Sequence, residues 1–429
     1  MALLSQEQCN IVSLNEKGIG VGKTKQYDVY LPYTLPGEIV KFQRHRYRGA
    51  TSFVTKNIIV PSENRVVPPC RYFTFCGGCM LQHAEDSYYR KLKSDLLNYH
   101  LDKLQITTKI NPIIFINARK RRRAVFEALK KQDNIYLGFK KYNSHQIINI
   151  DHCLLLLPQL DKIIFLLKEL LKGIMQDKQK AGIHVLYASN GIDVVIESPG
   201  IFYVNSDIIA KFGVFAEQNS VIKVSLSDSD NLMIIYHLDE PYVEFDNIRV
   251  KVSAKSFLQA SFDADRILQK LVLDFLLQGT DLAKDSRPNY KVVDLFCGRG
   301  TITIPVSKYF PVDGFELDSS ALTDLNMAME SQNRVVNLLA RDLYLSPLTS
   351  KELKKYDFAI INPPRQGALQ QVQELAGSNM KKICYISCNP ATFARDTKIM
   401  ISRGYKLIEI TPVDQFYWSP HIELVAYFV

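Results

Sequence analysis

Short apolar runs, each followed by a turn and a helix-like stretch, recur through residues 256–429. Lys291-Val-Val-Asp-Leu-Phe296 reads as a buried parallel strand, Cys297-Gly-Arg-Gly300 as the turn leaving it, and Thr301–Lys308 as a helix. Val312-Asp-Gly-Phe-Glu316 is the next strand, and a third ends near Asp342. Asp357-Phe-Ala-Ile-Ile361 is a fourth and delivers Asn362-Pro-Pro-Arg365. Ile383–Ile386 leads to Cys388, after which Pro390 opens a helix. Lys406–Pro412 and His421–Val429 read as a terminal hairpin. Strand and helix in alternation predict an α/β domain whose ligands sit at the carboxyl ends of its strands.

The first 61 residues follow a different pattern. Tyr27-Asp-Val-Tyr-Leu31 and Glu38-Ile-Val-Lys-Phe42 are short strands around a Leu35-Pro-Gly37 turn, with glycine punctuation at Gly18, Gly20, Gly22 and Gly49. About five such strands predict a small β-barrel of the oligonucleotide-binding kind. Residues 62–255 mix an amphipathic helix, Gln159–Leu171, with strand-like runs at Ile183–Tyr187, Ile192–Ile196 and Leu232–Leu238. They read as a central α+β domain. The polar Gly279–Asn289 stretch reads as a loop inside the last domain.

Composition narrows the class. Hydrophobic residues make up 47% of 429 and charged residues 23%, an ordinary globular balance. No apolar run is long enough for a membrane span, and Met1-Ala-Leu-Leu-Ser-Gln-Glu7 lacks a basic region before an apolar core. A cytoplasmic location is therefore expected, and the 8 cysteines are read as metal or catalytic groups rather than disulfides. The net charge of +9 favours a polyanionic partner. Two stretches concentrate that charge: Arg44-His-Arg-Tyr-Arg48, where bases interleave with an aromatic, and Arg119-Lys-Arg-Arg-Arg123. Both are expected to contact RNA phosphates and bases.

Three clusters carry candidate chemistry. Cys70, Cys76 and Cys79, with glycines at 77 and 78, can turn onto one metal centre. Cys153 is the natural fourth ligand, with His83 and His152 as substitutes; spacing alone does not separate zinc from an iron–sulfur cluster. The Gly298-Arg-Gly300 turn, followed by Glu316 closing the next strand, fits a nucleoside cofactor whose ribose hydroxyls an acid would hold. The absence of a full GxGxxG argues against a dinucleotide. Cys388, at the end of a strand, is either a small buried hydrophobe or a nucleophile. The strand count and order are those of a Rossmann-like class I methyltransferase that uses S-adenosyl-L-methionine.

With these residues in view, the chain resembles, almost end to end, the RNA uracil-5-methyltransferase family (TrmA/RumA type). The matching motifs are Phe257-Leu-Gln259, Asp294-Leu-Phe-Cys-Gly298, Asn362-Pro-Pro-Arg365, Ser387-Cys-Asn-Pro390 and His421-Ile-Glu423. Gly18-Ile-Gly20 and Leu35-Pro-Gly-Glu38 make residues 1–61 resemble a TRAM domain. Together with four cysteines, this is most similar to the RumA (RlmD) branch, which modifies 23S ribosomal RNA and holds a 4Fe-4S cluster.

The resemblance implies three parts: a TRAM domain at 1–61, an iron–sulfur domain at 62–255 and a methyltransferase domain at 256–429. It implies Cys388 as nucleophile and Glu423 as base. It places Gln259, Phe296, Thr301, Glu316 and Asp342 on S-adenosyl-L-methionine, and Asn362 beside the base and the cofactor. It assigns the cluster to Cys70, Cys76, Cys79 and Cys153. A monomer acting on RNA, with no membrane or protein partner, is expected.

Thr301 and Ser261 stand where the family often has Asn, and Asn362 where it usually has Asp. An amide at 362 matches the edge of uracil but carries no charge. The same chemistry on tRNA or another ribosomal uridine, and a catalytically weak RNA-binding protein on this fold, are the competing readings.

Overall fold

The computed structural model describes residues 7–47, 50–199, 202, 204–228, 231–279, 290–330 and 332–429. The 280–289 part of the polar loop, and Arg48 of the basic–aromatic stretch, lie outside the described residues. The chain forms two compact units: residues 1–99, 139–148 and 418–421 in one, and 100–138, 149–417 and 422–429 in the other.

The first unit is built on a five-stranded antiparallel sheet, ordered Asp28–Leu31, Gly20–Lys23, Glu7–Leu14, Ile39–Tyr47, Ala50–Val60. The edge strands Asp28–Leu31 and Ala50–Val60 also approach each other, so the sheet curls around a core of Cys9, Ile11, Val29, Leu31, Val40 and Phe42. Alternate residues of Asp28–Leu31 are buried, as a half-buried strand requires. The Leu35–Glu38 turn is fastened by the buried Glu38 carboxylate, which accepts from the Leu35 N–H at 2.9 Å and pairs with Arg65.

The second unit carries a nine-stranded sheet at its centre. Its order is Val336–Ala340, Val312–Glu316, Val292–Leu295, Phe358–Ile361, Lys382–Ser387, Glu423–Phe428, Leu407–Asp414, Lys109–Ile110, with Ile114–Phe115 also pairing Leu407–Asp414. The first five strands are parallel, and Glu423–Phe428 runs antiparallel between Lys382–Ser387 and Leu407–Asp414. The central strands are buried on both faces, which is why they read as unbroken apolar runs. The order reverses between Val292–Leu295 and Phe358–Ile361, and such a switch point opens a ligand crevice at the carboxyl ends.

The helix Phe262–Leu277 covers one face, with Leu268, Val272, Phe275 and Leu276 buried against Ile360, Cys384, Ile386 and Tyr427. Each such side chain contributes about 1.5–3 kcal/mol on burial. A further sheet runs Asn134–Lys140, Arg123–Lys131, Lys180–Tyr187, Ile192–Glu197, Val221–Ser227, Leu232–His237. The hairpin Tyr242–Phe245 and Ile248–Lys251 then joins Leu186 and Val195 to Leu325 and Met329 of the helix Ser319–Met329 in one core. Among the described residues, no helix is long and apolar enough to cross a membrane.

The basic run at 119–123 differs from its expectation. Arg122 is fully buried, with its guanidinium 2.7 Å from Asp265 and 3.1 Å from the Gln259 carbonyl. Arg123 donates to the Ser256 carbonyl at 3.1 Å, Lys120 pairs with Asp263 and Arg119 with Asp161. The run holds its own unit together, because each of these cations has an internal acceptor that spacing alone does not reveal.

Candidate active site

The strand Val292–Leu295 ends at Phe296, whose backbone takes a left-handed φ of 64°. Gly298 (φ 54°) and Gly300 (φ 84°) continue the turn. Any side chain at 300 would lie 2.5 Å from Leu325, whereas Gly298 faces open space. The Gly298 N–H donates to Glu316 at 3.1 Å, and the other Glu316 oxygen accepts from Leu317 and Asp318 at 2.7 and 2.9 Å. Glu316 thus fastens the glycine turn to the end of the neighbouring strand, with lone pairs left for further donors.

Asp294, inside the strand, is buried and accepts the Thr303 hydroxyl at 2.6 Å. Burial pushes its carboxyl up to about 7, against the lowering effect of that hydrogen bond. The Thr301 carbonyl accepts from Gln269 at 2.9 Å. Asp342 caps the following turn, with one oxygen accepting from the N–H groups of Tyr344 and Leu345 at 2.8 and 3.2 Å. The Tyr344 ring lies 5.4 Å from that of Phe296. Turn, acids and aromatic rings therefore share one end of the sheet, and the set fits S-adenosyl-L-methionine.

Cys388 follows the strand Lys382–Ser387 and precedes the helix Pro390–Ser402, whose N-terminus Asn389 caps by accepting from Ala391. Asn389 also donates to the Arg365 carbonyl at 2.9 Å, so the cysteine turn and the Asn362–Arg365 turn are fastened together. Asn362 leaves Phe358–Ile361 and donates its N–H to the Leu295 carbonyl at 3.2 Å. Its side chain has no protein hydrogen bond among the described residues.

Glu423 begins the antiparallel strand beside Cys388. The ladder pairs Ser387 with Leu424, so its next step sets Cys388 opposite Glu423. Glu423 is 3% exposed, and burial pushes its carboxyl up to about 7. The Cys388 thiol is pushed up to about 11, by burial first and by the Glu423 charge second, with Arg365 opposing. Glu423 accepts from Gln415 Nε2 at 2.8 Å, and the same nitrogen donates to Gln259 Oε1 at 2.8 Å. Gln259 is thereby placed beside Glu423.

Sequence reasoning missed Gln415, Thr303 and the Arg122–Asp265 pair. Their nearest signal is polar residues at the ends of apolar segments. The other cysteines at this end of the sheet, Cys297 and Cys384, are buried, and burial raises both thiols.

The metal-site candidates are divided between the two units: Cys70, Cys76 and Cys79 lie in the first and Cys153 in the second, and none of the four is in a disulfide among the described residues. The Cys76 thiol is raised by burial and, more weakly, by the charge of Cys70. The donor set suits an iron–sulfur cluster in kind. Among the described residues, however, no three His, Cys, Asp or Glu side chains gather closely enough to hold a metal ion. His83 is packed against Phe73, ring centroids 5.3 Å apart, and burial pushes it down to about 3.

Comparison with known proteins gives the family. Residues 243–428 match the family model described as tRNA (Uracil-5-)-methyltransferase. An uncharacterised RNA methyltransferase of Agrobacterium fabrum is 33% identical over 99% of both chains. The chain belongs to the RNA uracil-5-methyltransferase family, whose members depend on S-adenosyl-L-methionine. Another family member, the 23S rRNA (uracil(1939)-C(5))-methyltransferase RlmD of Yersinia enterocolitica, is 27% identical over 97% of this chain and 94% of its own. A crystal structure of the Pyrococcus abyssi tRNA (uracil-54, C5)-methyltransferase, in complex with S-adenosyl-L-homocysteine, superposes with a TM-score of 0.74. It covers 98% of this chain and 99% of that one. At 22% identity it shows that the family fold is shared.

Proposed function

We propose that this chain makes 5-methyluridine in 23S ribosomal RNA, with Cys388 as nucleophile and Glu423 as base. The observation that carries the reading is the closeness of these two groups: Cys388 follows Ser387, Glu423 precedes its ladder partner Leu424, and the Glu423 charge acts on the Cys388 thiol.

The chemistry requires both groups. Uracil C5 is a poor carbon nucleophile. When the Cys388 thiolate adds to C6, the ring becomes an enolate with its electron density on C5. Bound S-adenosyl-L-methionine supplies an electrophilic methyl group to that carbon. Glu423 then takes the C5 proton, the C5=C6 bond re-forms, and the Cys388 sulfur leaves as a thiolate. A carboxylate raised to about 7 is a stronger base than an ordinary one and is still available near neutral pH. A thiol at about 11 is about one part in ten thousand thiolate at pH 7. The Arg365 charge favours the thiolate, and bound RNA must supply the rest of its activation.

Gln259, Phe296, Thr301, Glu316 and Asp342, together with the 298–300 turn, would hold the cofactor. Asn362, free of internal hydrogen bonds, would read the uracil edge, accepting from N3–H and donating to O4. We take residues 1–61 as an RNA-binding TRAM domain and 62–255 as the segment carrying the metal site. For that site we propose a 4Fe-4S cluster on Cys70, Cys76, Cys79 and Cys153. Anaerobically purified protein should then hold about four irons per chain and show a broad visible band. Stoichiometric zinc would overturn the assignment.

The deciding experiment is nucleoside mass spectrometry after incubating the protein with S-adenosyl-L-methionine and unmodified 23S rRNA or tRNA transcripts. New 5-methyluridine in the 23S sample alone is expected. The support for that substrate is the RlmD relative, while the Pyrococcus neighbour is a tRNA (uracil-54, C5)-methyltransferase. Product in tRNA alone would keep the mechanism and change the substrate. Binding without product in either would support the weak RNA-binding reading.

A further inference from the structure

Gln415 follows the strand Leu407–Asp414 and is 7% exposed. Every polar atom of its side chain is used. Oε1 accepts from the Ala260 N–H at 3.1 Å. Nε2 donates to Gln259 Oε1 and to Glu423 Oε2, both at 2.8 Å. The backbone donor at 260 decides which way round the amide lies, so the nitrogen must face Glu423. Ala260 is held in turn, because its carbonyl accepts from the Arg122 N–H at 2.9 Å.

We propose that Gln415 is a positioning residue for methyl transfer: it holds Glu423 in the anionic, proton-accepting form and ties it to Gln259. The proposal rests on the reading of Glu423 as the base. The chemistry is one-sided. An NH2 group donates to a carboxylate, but it cannot accept the proton of a carboxylic acid. The Gln415 oxygen, which could accept one, is already occupied by Ala260. Protonated Glu423 keeps a carbonyl oxygen that accepts from the same nitrogen, but the bond to the carboxylate is the stronger one, which favours the cycle restarting with an empty base. The other titratable group facing Glu423 is Cys388, itself under the influence of Arg365. A negative thiolate there works against the anionic carboxylate, so the Gln415 donor matters most while the cysteine is ionised. The tie to Gln259 places base and cofactor contact on one amide.

The test follows the fate of the covalent protein–RNA species that Cys388 forms. In Gln415→Leu, that species, carrying a methylated uracil, should eliminate about tenfold more slowly and accumulate on denaturing gels. The acid limb of elimination should move up by about one pH unit, since losing a donor to the anion raises its pKa. Gln415→Glu, which keeps the side-chain shape, guards against misfolding and should shift the limb the same way or further, because two carboxyls then share the site. Melting temperatures report folding separately. Elimination rates and acid limbs like the parent's in both variants would overturn the proposal. Glu423→Gln tells the two claims apart. If it accumulates the methylated adduct and the Gln415 variants do not, only the positioning role fails. If Glu423→Gln eliminates normally, the base assignment fails and the proposal with it.

Discussion

Cys388 and Glu423 occupy the step of the ladder beyond the Ser387–Leu424 pair, and each disfavours ionisation of the other. Removing the Glu423 charge should make the Cys388 thiol easier to ionise. Glu423→Gln takes away a negative charge that raises the thiol, so the Cys388 pKa should fall from about 11. Alkylation of the Cys388 peptide at pH 8, followed by mass spectrometry, should quicken several-fold in that variant while release of 5-methyluridine stops. Unchanged or slower alkylation would show that the two groups are uncoupled.

Glu423 also links stability to pH. Its folded carboxyl is raised from 4.5 to about 7, so the folded state binds the proton more tightly than the unfolded chain. This favourable contribution is fully present below about 4.5 and is lost as pH rises through about 7. The shift corresponds to a loss on the order of 3 kcal/mol above that window. Glu423→Gln should therefore melt higher than the parent at pH 8, with the difference shrinking toward pH 5. Equal melting temperatures at both pH values would contradict the burial of this acid.

Arg122→Met should destabilise the chain by about 3–5 kcal/mol, because it leaves Asp265 buried without its cation. The double variant Arg122→Met with Asp265→Leu should recover much of that loss. Thermal unfolding of the single and double variants measures both. An RNA-contact role would instead lower affinity and salt dependence with little change in melting temperature.

Asp294 and Thr303 support the cofactor turn from inside. Thr303→Val removes the hydroxyl 2.6 Å from a fully buried carboxyl whose pKa is already about 7. Loss of that bond costs about 1–3 kcal/mol, and S-adenosyl-L-homocysteine should bind roughly tenfold more weakly by calorimetry.

What was legible beforehand follows from which interactions are local. Lys382–Ser387 and Phe358–Ile361 were readable because strands buried on both faces are uniform apolar runs ended by Pro, Asn or Cys. The Gly298–Gly300 turn was readable because positive φ and the close approach of Leu325 select glycine. Arg122 was misread for the opposite reason: its partner Asp265 lies on a distant helix, so a buried cation looks like part of a solvated run. Gln415 was invisible because its three partners come from two remote segments. Lys109–Ile110 went unseen because so short a strand has no period of its own; it exists by pairing with Leu407–Asp414.

Asn362 offers the sharpest test of how this site reads its substrate. Among the described residues its side chain takes no hydrogen bond, and its backbone is fixed by the Leu295 carbonyl at 3.2 Å. The amide is thus held at a set place with donor and acceptor both available. Uracil presents N3–H and O4 to such a group, whereas cytosine presents an acceptor at N3 and a donor at C4, which suits the same amide only after a flip. The parent chain should therefore methylate uridine without a carboxylate at this position. Asn362→Asp should also turn over, but with a higher Cys388 pKa if the added charge reaches the thiol, visible as a basic shift in the rate of adduct formation. Asn362→Leu should raise KM for RNA about tenfold or more, because it leaves the polar edge of the base unpaired. Methylation by the Asp variant alone would show that the position needs a charge rather than an amide, and would identify Asn362 as the reason for a silent enzyme.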